Sequence, residues 1–99
     1  MSEPVCEREF VVRSELGLHA RPAGRFVSTA ARFRSEVMVA RGEEWVSGRS
    51  VLSLLSLAAG QGTRLRIRAV GEDAALAVEA LGQLLESASD LVPGAIEAK

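Results

Sequence analysis

Residues 63–70 read TRLRIRAV, with Leu65, Ile67 and Ala69 alternating against Arg64, Arg66 and Arg68. A period of two sends these sets to opposite faces of a β-strand. Three arginines are not buried without partners, so one face of the strand is wet and the other belongs to a core. That pattern excludes a parallel sheet covered on both sides and predicts an antiparallel sheet covered on one. The rest of the chain must supply the cover.

Three segments have the period to do so. Ala23, Phe26, Val27, Ala30 and Phe33 fall at helical spacing, with Arg25, Arg32 and Arg34 on or beside the other face, which predicts a helix from about Ala20 to about Ala31. A short apolar helix is expected over residues 51–59, with Ser50 as its N-cap and Gly60 as its left-handed C-terminal residue. Gly71-Glu72-Asp73 introduces a last helix whose buried stripe is Ala74, Ala77, Val78, Leu81, Leu84, Leu85 and Ala88, its two acids placed at the positive helix end. Further strands are expected over residues 6–13 and 35–40 and at Trp45-Val46, the last two joined through Arg41-Gly42-Glu43 as a hairpin. The order strand, helix, two strands, helix, strand, helix fits a two-layer α+β sandwich. Residues 89–99 contain Pro93-Gly94 and are expected to form a loosely held tail after one domain over residues 1–88.

Composition narrows the function classes. The 99 residues carry 12 basic and 13 acidic side chains, so the marked basic excess of nucleic-acid and membrane-surface binders is missing. The arginine stripe is read as a solvated face, because its own strand interleaves no aromatic residue on which a base could stack. No apolar run approaches ~18 residues, and the opening MSEPVCEREF lacks the apolar core of a signal peptide. A single cysteine, Cys6, forms no internal disulfide, and no His/Cys cluster offers zinc ligands. A cytoplasmic protein without metal or other cofactor is expected.

One segment asks for a chemical explanation, Leu16-Gly17-Leu18-His19-Ala20-Arg21-Pro22-Ala23, which holds the only histidine. Pro22 has no N–H and belongs in a first helical turn, which puts His19 close to the N-cap. The N–H groups of Ala20, Arg21 and Ala23 are then expected to face an anion beside the ring. Arg21 adds a charge with fork geometry suited to phosphate. A positive helix end favours the neutral, nucleophilic imidazole, and afterwards favours the negative charge of a phosphoryl group carried on it. With no second acid or base in view, such a site resembles a carrier more than a self-sufficient catalyst. From position and neighbours alone, a plain surface histidine beside a helix start is the better fit.

The heptapeptide Gly17–Ala23 is similar to the active-site signature of the HPr family, the phosphocarriers of the bacterial phosphoenolpyruvate-dependent phosphotransferase system. Residues 48–57, GRSVLSLLSL, resemble the family's second signature, and Gly60-Gln61-Gly62-Thr63 and Gly71-Glu72-Asp73 fall where the family has comparable turns. The likeness covers roughly residues 5–88. It implies an open-faced sandwich of four antiparallel strands covered on one face by three helices, with a monomer expected. It also implies that His19 is phosphorylated on Nδ1 by enzyme I and passes the group to an enzyme IIA domain, with Arg21 steadying the phosphohistidine.

The second signature brings further expectations. Ser50 is a helix N-cap, and in some bacteria the family's serine at this position is phosphorylated by a dedicated HPr kinase/phosphorylase, which makes that enzyme a further candidate partner. The two roles are compatible, since a phosphate is tolerated at a helix N-terminus. Leu54, Leu57 and Ala58 are read as facing the core, leaving Val51, Leu52 and Leu55 partly exposed. In the family the matching positions, with Ala20, belong to the patch that docks enzyme I and enzyme IIA. Leu16 departs from the Ser or Asn of many members. Leu16-Gly17-Leu18-His19 and Leu57-Ala58-Ala59-Gly60 lean toward the nitrogen-related branch, whose phosphoryl transfer is regulatory and does not drive sugar uptake.

Overall fold

A computed structural model describes residues 3–87 of the chain. Seven elements follow one another: β1 (Val5–Val11), α1 (Ala20–Ala30), β2 (Glu36–Arg41), β3 (Glu44–Ser47), α2 (Val51–Ser56), β4 (Arg64–Val70) and α3 (Ala74–Glu86). The strands form one antiparallel sheet in the order β1-β4-β2-β3. The alternating strand is thus internal, paired to β1 on one side and β2 on the other. Leu65, Ile67 and Ala69 are fully buried beneath the helices, as the period-two pattern requires. Phe26 of α1, Leu54 of α2 and Leu81 of α3 close the same core from above. This is the open-faced α+β sandwich with the element order βαββαβα. Residues 88–99, including Ala88 of the expected helical stripe and the expected tail, lie outside the described residues.

On the uncovered face the register lines up Glu9, Arg66, Ala40 and Trp45 across the four strands. Ala40 is small enough for the Arg66 side chain to pass over it. The guanidinium then stands 4.9 Å from the centre of the Trp45 ring and donates to the Gly42 carbonyl and to Glu7. Arg64 pairs with Glu9 at 3.2 Å. Arg64 and Arg66 of the stripe are therefore partnered as well as solvated. The aromatic partner comes from β3, across β2 from the stripe, beyond what the stripe's own sequence could show. Such exposed pairs add little stability one by one, but charged side chains along an open sheet discourage pairing with another chain.

Several local expectations shift. The second helix ends at Ser56, short of residue 59, and Ala58 with φ 51° takes the left-handed turn, not Gly60. Ala58 consequently points to solvent, and Ala59 replaces it in the core. Leu84 is only partly buried in the α3 stripe. Asp73 is the N-cap residue of α3, yet its carboxylate turns away from the helix. It accepts from the N–H groups of Arg34 and Ser35 at 2.9 and 3.0 Å and from the Ser35 hydroxyl. The α3 start is thereby tied to the entry of β2, a long-range role that proximity in sequence cannot reveal.

Two stability outcomes follow from this packing. At Gly82 a methyl group would overlap the Phe10 ring, because α3 lies directly on β1 there. Gly82→Ala is expected to lose roughly 1–3 kcal/mol in a urea titration, despite the better helix propensity of alanine. The hydrogen bonds from the Ser35 hydroxyl and then the Arg34 N–H hold the Asp73 carboxyl below its ordinary value of 3.8. A carboxyl that is more acidic folded than unfolded stabilises fully above the unfolded value and loses that contribution as pH falls through the folded one. Asp73→Ala is therefore expected to be less stable than wild type at pH 7. The difference should shrink below pH 4 in urea melts taken across a pH series.

Candidate functional site

His19 is the N-cap of α1, with extended backbone (φ −91°, ψ −171°). Its carbonyl accepts the Ala23 N–H at 3.0 Å, the first turn of the helix. Ala23 is therefore not available to an anion as the sequence reading had it. Pro22 has no N–H, which leaves Ala20 and Arg21 as the first-turn donors without a partner inside the helix. Ala20 and Arg21 are exposed and His19 is half-buried. Nothing in the described residues fills the space in front of these donors with an acidic first-turn side chain. Ala20, Arg21, Arg25 and Leu84 line an open groove that leads away between α1 and α3.

The segment that delivers His19 to this position is held backbone to backbone. Leu18 donates its N–H to the Ala59 carbonyl at 2.8 Å, and His19 donates to the Gly17 carbonyl at 2.9 Å. Gly17 has φ +74°, and a Cβ there would stand 2.5 Å from the Ala59 carbonyl oxygen and 2.8 Å from the Gly60 Cα. Only glycine fits both the dihedral and the approach. The glycine of the heptapeptide thus locks the loop before α1 against the turn after α2, and Leu18 is buried beside it.

The other expected site residues gather on the neighbouring helix. Ser50 is the N-cap of α2, its Oγ accepting the Ser53 N–H at 3.1 Å. Leu54 and Leu57 face the core, Val51 and Leu55 are partly buried, and Leu52 is 80% exposed. Because α2 packs beside α1 and its following turn touches Gly17 and Leu18, the exposed apolar side chains and His19 share one side of the molecule. Leu16, directly before the glycine, is 72% exposed and adds a further apolar group to the loop that leads to the histidine.

Sequence reasoning missed what holds α2 in place. The Arg41 guanidinium, at the end of β2, donates from Nη1 to the carbonyls of Leu57 at 2.9 Å and Ala58 at 2.8 Å. The helix-end carbonyls are thereby satisfied by a cation, the favourable sign for a C-terminus. Arg49, next to Ser50, reaches back to the carbonyls of Phe33 and Ser35 at 3.2 and 2.9 Å. An arginine in a hairpin or before a helix gives no sequence signal of such long-range partners. Among the described residues no group of His, Cys, Asp and Glu is placed to hold a metal ion, and no helix is long and apolar enough to cross a membrane.

Comparison with known proteins agrees with this geometry. The family model described as "PTS HPr component phosphorylation site" matches residues 6–87. The chain is 38% identical over 83 residues to a phosphocarrier protein HPr of Xylella fastidiosa, covering 84% of this chain and 93% of that protein. It is 40% identical over 88 residues to a multiphosphoryl transfer protein of Salmonella typhimurium, a much longer chain of which 23% is covered. The crystal structure of a phosphocarrier protein HPr from Bacillus anthracis superposes with a TM-score of 0.78 at 33% identity, covering 82% of this chain and 96% of that one. With the match extending over nearly all the described residues, the chain belongs to the HPr family, the phosphocarrier proteins of the phosphotransferase system.

Proposed function

We propose that His19 accepts a phosphoryl group from phosphorylated enzyme I and passes it to an enzyme IIA domain. The observation that carries this reading is the place of His19 at the N-cap, with the free first-turn N–H groups of Ala20 and Arg21 beside it. In the accepting step the Nδ1 lone pair of a neutral imidazole forms the bond to phosphorus. The bond from phosphorus to the donor breaks, its electron pair returning to the donor atom, while Nε2 keeps its proton. The phosphoryl oxygens then lie in the field of the helix start and within reach of the Arg21 guanidinium, both of which favour the added charge. Donation to enzyme IIA reverses the same bonds. The protein is consumed and regenerated and catalyses nothing alone.

Val51, Leu52, Leu55 and Ala20 dock both partners in this reading. An exposed apolar cluster beside a reactive group is the kind of surface that a transient partner covers. The carrier domain is residues 1–88, working as a cytoplasmic monomer without a cofactor. Ser50 is open to modification by an HPr kinase/phosphorylase where one is present. The exposed Leu16, standing where many relatives have a polar residue, favours a second reading for the acceptor side. There the relay is regulatory, of the nitrogen-related type, and does not feed sugar uptake. Which enzyme IIA drains the phosphoryl group separates the two.

Incubation with phosphoenolpyruvate and enzyme I, followed by intact-protein mass spectrometry, tests the acceptor. Wild type is expected to gain one acid-labile phosphoryl group and His19→Ala none, with both proteins giving the same circular dichroism. An equal gain in the variant would remove His19 from the role. Ser50→Asp keeps the helix cap, since aspartate caps as well as serine, but places a charge at the docking patch. Its kcat/KM for acceptance from enzyme I is expected to fall about tenfold. A rate equal to wild type would detach Ser50 from the docking surface.

A further inference from the structure

We infer that Arg41 is a positioning residue for the phosphoryl site, holding the turn after α2 whose next carbonyl fixes the backbone in front of His19. The inference deepens the reading of His19 as acceptor and rests on it. Helix α2 is only six residues long, and its last carbonyls have no partner within the helix. Arg41 supplies two bonds from one nitrogen, to Leu57 and Ala58. Ala58 has φ 51°, a left-handed conformation that disfavours any residue with a Cβ. Such a conformation persists where its surroundings over-determine it, and here the charged donor is bound to the carbonyl of that same residue.

The consequence is carried forward one residue at a time. Ala58 sets the direction of the Ala59 carbonyl, which accepts the Leu18 N–H at 2.8 Å. Gly17 lies against the same carbonyl and against Gly60 too closely for a side chain. Its own carbonyl accepts the His19 N–H at 2.9 Å. A loosened Ala58 turn therefore moves the acceptor that defines where α1 begins, and with it the ring and the two first-turn donors. Because transfer between two proteins requires the nucleophile in line with the breaking bond, small displacements there are costly in rate. Arg41 acts on kcat through Ala58 and Ala59 at the C-terminal end of α2, while Val51 and Leu52 of the apolar patch lie in its first turn, which Ser50 caps independently.

The test compares full-length wild type, Arg41→Ala, Arg41→Lys and His19→Ala for acceptance from phosphorylated enzyme I, together with native-state hydrogen exchange. Arg41→Ala is expected to lower kcat about tenfold with KM little changed. Exchange of the Leu18 amide should quicken in this variant while that of Ile67, in the middle of β4, holds its wild-type rate. Arg41→Lys keeps the charge and a donor and should recover part of both effects. Unchanged kcat and Leu18 exchange would overturn the inference. So would Leu18 and Ile67 quickening together, which marks a residue of general stability only, or a rise in KM at constant kcat, which places Arg41 in the docking surface. Wild type that accepts no more phosphoryl group than His19→Ala would refute the acceptor reading itself, and the positioning role with it.

Discussion

At Gly17 the chain passes so close to Ala59 and Gly60 that neither a side chain nor a different dihedral is tolerated. This backbone contact joins the first signature segment to the turn that follows the second, about forty residues further along the chain. On one side it sets the point at which α1 starts, since Leu18 and His19 are both bonded into it. On the other it sets where the exposed face of α2 lies relative to that start. A histidine at a helix N-terminus is a common object. One with a partly exposed apolar helix locked beside it is not, and the lock is made from main-chain atoms whose geometry hardly varies.

The sheet contributes rigidity from below. β4 is internal and carries three fully buried side chains, so it cannot shift register against its neighbours without turning Arg64, Arg66 and Arg68 into the core. The ends of these strands then serve as anchor points. Arg41 at the end of β2 reaches the end of α2, and the entry of β2 is tied through Ser35 to Asp73 at the start of α3. Each link joins the end of one element to the end of another. The helices are held at their termini as well as by their apolar faces, which matters most for α2, whose six residues present few side chains to the core.

What could be read from the sequence follows the same division. The alternation over residues 63–70 and the helical spacing of Ala23, Phe26 and Ala30 are periodic signals, and periodicity reports which face is buried without reference to anything distant. The element order, the core strand and the N-cap places of His19 and Ser50 were legible on that basis. The end of α2 was not. Glycine at position 60 is the better left-handed residue by propensity, yet the turn falls on Ala58 because Arg41 and the Gly17 approach fix the chain two residues earlier. Ala58, expected in the core, is exposed and Ala59 is buried for the same reason. Asp73 was read as serving its own helix, whereas three donors from the β2 entry outweigh the dipole of α3. Local rules failed where a long-range polar partner competed with them.

The openness of the candidate site is consistent with a group that changes hands. An enzyme that completes its chemistry gains from burying the reacting atoms, since a dry cavity strengthens every charge interaction within it. A carrier must be reached by a donor and then by an acceptor, each bringing its own catalytic groups. Depth would exclude both. What remains useful at the surface is stabilisation that survives contact with water, namely fixed N–H dipoles and an arginine that needs no reorganisation. Ala20 and Arg21 are exposed and Leu52 is exposed on the helix packed against α1, so in the proposed relay a partner that covers the leucine also excludes water from the phosphoryl group. The low-dielectric site is then assembled only in the complex. A small patch suits this arrangement, because a partner that bound it tightly would hold the carrier instead of releasing it to the next protein.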